Sequence, residues 1–184
     1  MRAAVEVMGE DGYDGASLRD MAARAGVSVA ALYHHFPSKL ALLREFLDEA
    51  YDITLARVER RMARVGDSPA ARLDSIVDTL VWGHLHDDFA QRAANVAFRE
   101  YLRLDPPERA AIEVKRKQLL DLVEGVVGDG GAAGVFDADE PRETARAVVT
   151  LSTSLVEVQH EIGRPLEEII ALYQHLARRL AGAR

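Results

Sequence analysis

Residues 17–43 read SLRDMAARAGVSVAALYHHFPSKLALL, and their punctuation is helical throughout. Ser17 stands three residues ahead of Asp20 at the head of an apolar-periodic run, a start signal in which the serine hydroxyl accepts from an N–H of the first turn. That run extends from about Leu18 to Ala25 and stops at Gly26. Ser28 opens a second, shorter run from about Val29 to Phe36, and Ser38 opens a third. Leu18, Met21 and Ala22 share one face for packing on a preceding helix. Ala25-Gly26-Val27 makes a tight turn, with Val27 and Leu32 placed to lock the angle between the two helices, as a helix-turn-helix needs. The second helix turns Ser28, Val29, Ala30, Ala31, Tyr33 and His34 away from the core, with small residues where a backbone must approach base edges in a major groove. Leu32 and Phe36 read as core; His35 reads equally as packing or as surface.

Ala25-Gly26-Val27-Ser28 followed by Leu32-Tyr33-His34-His35-Phe36-Pro37-Ser38-Lys39 resembles the recognition segment of the TetR family of transcriptional regulators, in order and in spacing. The resemblance implies that Ser28, Tyr33, His34 and Lys39 contact phosphates and that Val29, Ala30 and Ala31 face base edges. The chemistry of the side chains agrees, because Ser and Tyr hydroxyls donate to phosphate oxygens and a Lys in the first turn of a helix adds a charge beside its backbone donors. One departure concerns charge. Residues 1–46 hold Arg2, Arg19, Arg24, Lys39 and Arg44 against Glu6, Glu10, Asp11, Asp14, Asp20 and Glu45, and the sequence begins within or near the first helix, ahead of which family members usually carry a basic arm.

The remainder of the chain bounds the alternatives. Its 184 residues, 48% apolar and 29% charged, suit a small domain fused to a larger one, all-α in class, with a boundary near residue 46: 1–46 for DNA binding, 47–184 for effector binding and dimerisation. The absence of cysteine excludes disulfide frameworks and thiol chemistry. No apolar run has the length of a membrane span or the form of a signal peptide, so a cytoplasmic protein is expected. A net charge of -7 confines any nucleic-acid contact to a local surface. His84, His86, Asp87 and Asp88 do not share a helical face as metal ligands would, and no catalytic motif is evident, so neither a metal, a cofactor nor an enzyme is expected.

Helix 1 is expected from about Arg2 to Asp11, ended by Gly12. Helix 4 follows Ser38, carries Leu43, Leu47, Tyr51, Val58 and Met62 on one stripe, and ends near Val65. Later helices open at Ser68-Pro69, Asp105-Pro106, Asp139 before Pro141, and Gly163-Arg164-Pro165, with a further one at about Gln91 to Tyr101; about nine helices result. Gly125 to Gly134, with five glycines, reads as a flexible connection. Helix 5 is apolar on two faces, Leu73, Ile76, Val77, Leu80 and His84 against Trp82, Leu85 and Phe89, which places it centrally. A small-molecule pocket is expected beside it, lined by Trp82, His86, Asn95, Phe98, Arg99, Leu102, Leu119 and Val123.

Two apolar stripes, Ala145 to Gln159 and Leu166 to Leu180, form a helical hairpin. The family resemblance implies that this hairpin pairs with its copy in a homodimer, through Val149, Ser152, Leu155, Val156, Gln159, Ile169, Tyr173 and Leu176. Phe98 to Leu102 ahead of Asp105-Pro106-Pro107-Glu108 is similar to regulators that sense acyl-coenzyme A thioesters. The expected function is therefore a repressor on a palindromic double-stranded operator, released by a hydrophobic or acyl-coenzyme A-like effector. The alternative is a helical protein-interaction adaptor that never meets DNA.

Overall fold

The computed structural model describes residues 1–86, 88–156 and 163–183, and at positions 88, 90, 91, 94, 95, 98 and 156 through the backbone alone. Among the described residues every regular element is helical: α1 (Arg2–Gly15), α2 (Leu18–Ala25), α3 (Val29–His35), α4 (Lys39–Met62), α5 (Pro69–Leu85), α6 (Asp88–Glu100), α7 (Pro106–Ala132), α8 (Pro141–Thr153) and α9 (Leu166–Leu180). Short 3-10 turns at Tyr101–Arg103 and Ser154–Val156 follow α6 and α8. The serine start signals hold in full. Ser17, Ser28, Ser38 and Ser68 accept from the N–H groups of Asp20, Ala31, Ala41 and Ala71 at 3.2, 3.1, 3.0 and 3.4 Å. Each such cap is worth about 1 kcal/mol.

Gly12 breaks α1, with φ 70° and ψ 169°, but another helical turn carries the element on to Gly15. The later starts shift by a residue or so. Glu140 rather than Asp139 precedes the first turn of α8, and Pro165 caps α9 from outside.

The glycine-rich stretch is not a connection. It completes α7, which runs unbroken for 27 residues to Ala132 before Gly134, at φ 67°, turns the chain. Leu119, Val123, Val126 and Val127 are buried on one side of α7, and that burial outweighs the weak helix propensity of glycine. Gly130 has a packing reason of its own. A Cβ there would lie 2.0 Å from a ring carbon of Phe136, so only glycine lets that ring close over the helix.

α5 packs against α4, α6, α7, α8 and α9, as its two apolar faces require. Leu73, Ile76, Val77, Leu80 and Val81 are buried there with Val58 of α4, Val123 and Val126 of α7, Val148 of α8 and Ala177 of α9. A second core joins Val5, Val7 and Met8 of α1, Leu18 and Met21 of α2, and Leu42, Leu43, Phe46 and Leu47 of α4. Val96 of α6, Leu104 just after the 3-10 turn Tyr101–Arg103, and Ile112 of α7 complete that core. The helices around the turn are thus seated on α6 and α7 and share apolar contacts with them.

Candidate nucleic-acid interface

The turn between α2 and α3 is made by Gly26 in the left-handed region, φ 69° and ψ 28°, with its N–H directed to the carbonyls of Ala22 and Ala23. Val27 N–H closes on the Ala22 carbonyl at 3.0 Å. A side chain at position 26 would be strained there, which is why glycine serves.

None of the seven residues of α3 is fully buried. Leu32 and Phe36 lean on the core of α1, α2 and α4. The opposite side presents Ser28, Ala30, Ala31, Tyr33 and His34 to solvent, with Tyr33 52% exposed, while Val29 is half-buried at the edge. His35 is also exposed and stands edge-on to His34, ring centres 5.5 Å apart. Val27 is 46% exposed, so it does not lock the helix angle; Leu32 and the Gly26 turn do.

Lys39 sits differently from its expected phosphate-facing role. Its ammonium donates to the carbonyls of Tyr13 and of Ala16, the latter at 2.8 Å, and lies 4.3 Å from the centre of the Tyr13 ring. The charge that would meet phosphate is used to cap the C-terminal carbonyls of α1 and to staple α4 to it.

The acids of this region are largely occupied. Glu6 pairs with Arg2 at 3.0 Å, and Glu10 takes both arms of Arg24 at 2.8 and 2.7 Å. That hydrogen bonding, with the charge behind it, holds the Glu10 carboxyl below its usual range. Asp14 receives Arg103 from beyond α6 at 3.0 and 2.7 Å. Three of the six carboxylates in residues 1–46 are therefore matched by arginines along α1, apart from the open side of α3.

Among the described residues, those expected around an effector lie in different surroundings. Leu119 and Val123 are packed in the central core, whereas Leu102 is 72% exposed and Arg99 also faces solvent. The Trp82 and His86 rings stack with centres 3.7 Å apart. The side chains of Asn95 and Phe98 lie outside the described residues.

For the expected seam between copies, Ser152, Leu155 and Ile169 are buried within this chain's own core, and Val149 and Tyr173 pack against the same core. Val149 and Tyr173 keep part of their surface exposed, whereas Ser152, Leu155 and Ile169 do not. Leu176 is on the outer side, bordering a groove with Leu151, His175, Arg179 and Leu180. The side chain of Val156, and Gln159 altogether, lie outside the described residues.

One constellation escaped the sequence reading although its spacing was visible. Arg57, Arg60, Arg61 and Arg64 recur at three and four residues along α4 and converge with Trp82 on one cavity.

Comparison with known proteins agrees with this frame. Residues 1–46 match the model of bacterial regulatory proteins of the tetR family, and residues 66–179 match the tetracyclin repressor-like C-terminal domain. The HTH-type transcriptional activator FasR of Mycolicibacterium smegmatis is 28% identical over 167 residues, 90% of this chain and 73% of its own length. A regulatory protein in the tetR family from Rhodococcus RHA1 superposes with a TM-score of 0.89 at 26% identity, over 99% of this chain and 94% of that one. AibR, solved in complex with isovaleryl coenzyme A and operator DNA, shares the fold with a TM-score of 0.84 at 20% identity, over 100% and 96% of the two chains. From its helix-turn-helix through its C-terminal helices, this chain belongs to the TetR family of bacterial transcriptional regulators.

Proposed function

We propose that the chain works as a homodimer that grips a palindromic operator with its two α3 helices, represses transcription there, and is released by a hydrophobic effector of acyl-coenzyme A type. The observation that carries this reading is the open side of α3. Ser28, Ala30, Ala31, Tyr33 and His34 stand clear of the core on a short helix whose angle is set by Gly26 and Leu32. Ala30 and Ala31 let the backbone come close to base edges, while the Ser28 and Tyr33 hydroxyls and the His34 ring reach the flanking phosphates. Lys39 acts one step back, by holding the N-terminus of α4 in place.

The outer side of α8 and α9 suits a second copy. Leu172 and Leu180 are 37% and 46% exposed beside Leu151 and Leu176, an apolar strip between two helices of the kind that closes isologous dimers. Two α3 helices reading one groove face must then stand about 34 to 36 Å apart.

An effector bound among α5, α6 and α7 has a direct route to the reader. α6 is packed along α1, where Gly9 leaves room for the Arg92 side chain, and Arg103 just after α6 grips Asp14. A ligand that favours a shifted α6 therefore moves α1 and the helix-turn-helix with it, and its differential affinity sets the size of the effect, typically 1–3 kcal/mol. The acyl-coenzyme A class draws support from the stretch Phe98 to Leu102 and from the ligand in the AibR structure.

A mobility-shift titration of the protein on the intergenic DNA upstream of its own gene tests the reading, with acyl-coenzyme A thioesters, free fatty acids and aromatic drugs as competitors. A shift released by the thioesters is expected. No shift at low salt would instead favour the adaptor.

A further inference from the structure

Arg57, Arg60, Arg61 and Arg64 lie on one face of the C-terminal half of α4 and the turn after it, spanning about 10 Å. Like charges at this spacing destabilise a helix, and only part of the cost is recovered because Arg60 and Arg61 fall in the last turn, at the negative end of the helix dipole. Among the described residues one carboxylate, Asp78 of α5, meets the group, by pairing with Arg61. All four arginines line, together with Trp82, an open cavity of about 320 Å³. Arg57 lies over the Trp82 ring, 4.8 Å from its centre, and Gly83 leaves the α5 surface beneath that guanidinium bare. In a chain of net charge -7, a concave surface whose arginines meet one carboxylate among the described residues is suited to an anion.

Operator DNA is not that anion. The cluster begins about 27 Å along α4 from Lys39, the end beside α3. We propose that this cavity binds the pyrophosphate of a ligand carrying two adjacent phosphates on an organic group, as nucleoside diphosphates and coenzyme A do. Planar guanidinium groups take phosphate oxygens in pairs, and three such charges balance the two to three negative charges of a pyrophosphate group. Trp82, with His86 stacked on it, forms an apolar edge for the organic part. The proposal stands on this cavity alone and does not depend on operator binding.

Trp82 is the single tryptophan of the chain, so its fluorescence reports the cavity directly. The protein would be titrated at low ionic strength with inorganic pyrophosphate, ADP, coenzyme A without an acyl chain, and citrate. A saturable change in emission is expected with the three phosphate compounds, weakening with added salt. It should be about tenfold weaker or more in the Arg60→Ala/Arg64→Ala double variant and unaltered in Arg44→Ala, on the same helix. Both changed arginines are exposed and hold no partner in the core, so folding is retained. Tighter binding of coenzyme A than of ADP would assign the cavity to the nucleotide end of a thioester, and the reverse order to a free nucleotide; either supports the site. No saturable change with any phosphate compound, citrate binding as tightly as pyrophosphate, or undiminished binding by the double variant would overturn it.

Discussion

At the scale of single residues, the division of labour on α3 and α4 is open to substitution. Tyr33→Phe removes one hydroxyl from a half-exposed ring and should weaken binding to all DNA sequences alike, because a phosphate contact carries no sequence information. Ala31→Gln places a long amide on the open side of the helix and should change base preference, most readily toward adenine; selection from a randomised operator pool reads both outcomes. Lys39 calls for a different measurement. Its ammonium is bonded to carbonyls of α1, so Lys39→Met should lower unfolding stability by about 1.5–3 kcal/mol in urea titrations, the usual worth of hydrogen bonds from a charged donor. A free phosphate-binding lysine would instead leave stability unchanged. The motif made the exposed side of α3, with Ser28, Tyr33 and His34, legible in the sequence, but not the bonds of Lys39 to α1. Its partners stand 23 to 26 residues upstream, beyond the reach of any local pattern.

At the scale of an element, α7 separates two roles for one residue type. Gly125 and Gly128 meet nothing within 4 Å of where a Cβ would stand, so Gly128→Ala should stabilise the protein by about 0.5–1 kcal/mol through helix propensity alone. Gly130→Ala drives a methyl into the Phe136 ring and should destabilise by about 1–3 kcal/mol. Thermal melts of the two variants should therefore move in opposite directions, and melts moving together would mean that α7 is not continuous through this stretch. Composition alone points to a loop here. What it leaves out is the apolar stripe of Leu119, Val123, Val126 and Val127, whose burial keeps the glycines in helical register.

At the scale of the whole molecule, two further outcomes follow from how the helices are assembled. Leu180→Glu puts a charge on the outer side of α9 without touching the core, and sedimentation should then find monomers that no longer shift operator DNA although their helical content is intact. The second outcome concerns acid. His84 of α5 is largely buried, and burial pushes its pKa below the usual value despite the bond its Nδ1 makes to the Leu80 carbonyl at 2.6 Å. The unfolded chain then binds the proton more readily than the folded one, so stability is complete above about pH 6.5 and declines as pH falls below it. His84→Gln should flatten that decline in melts recorded between pH 7 and 5, and an unchanged slope would place the sensitive group elsewhere.

The sequence by itself determined where most helices begin, that a Gly-turned pair of helices stands near the N-terminus, and that α5 is central. Serine caps, a left-handed glycine and a doubly apolar helix are local signals, complete within a few residues. Tertiary structure decided what periodicity leaves degenerate. α8 with the turn after it and α9 each carry one broad apolar stripe, and only packing against α5 and α7 turned Ser152, Leu155 and Ile169 inward and left Leu176 and Leu180 at its outer edge. The convergence of four arginines with Trp82 was likewise settled by the approach of α5 to α4, because a helical stripe fixes which residues share a face but not what that face meets.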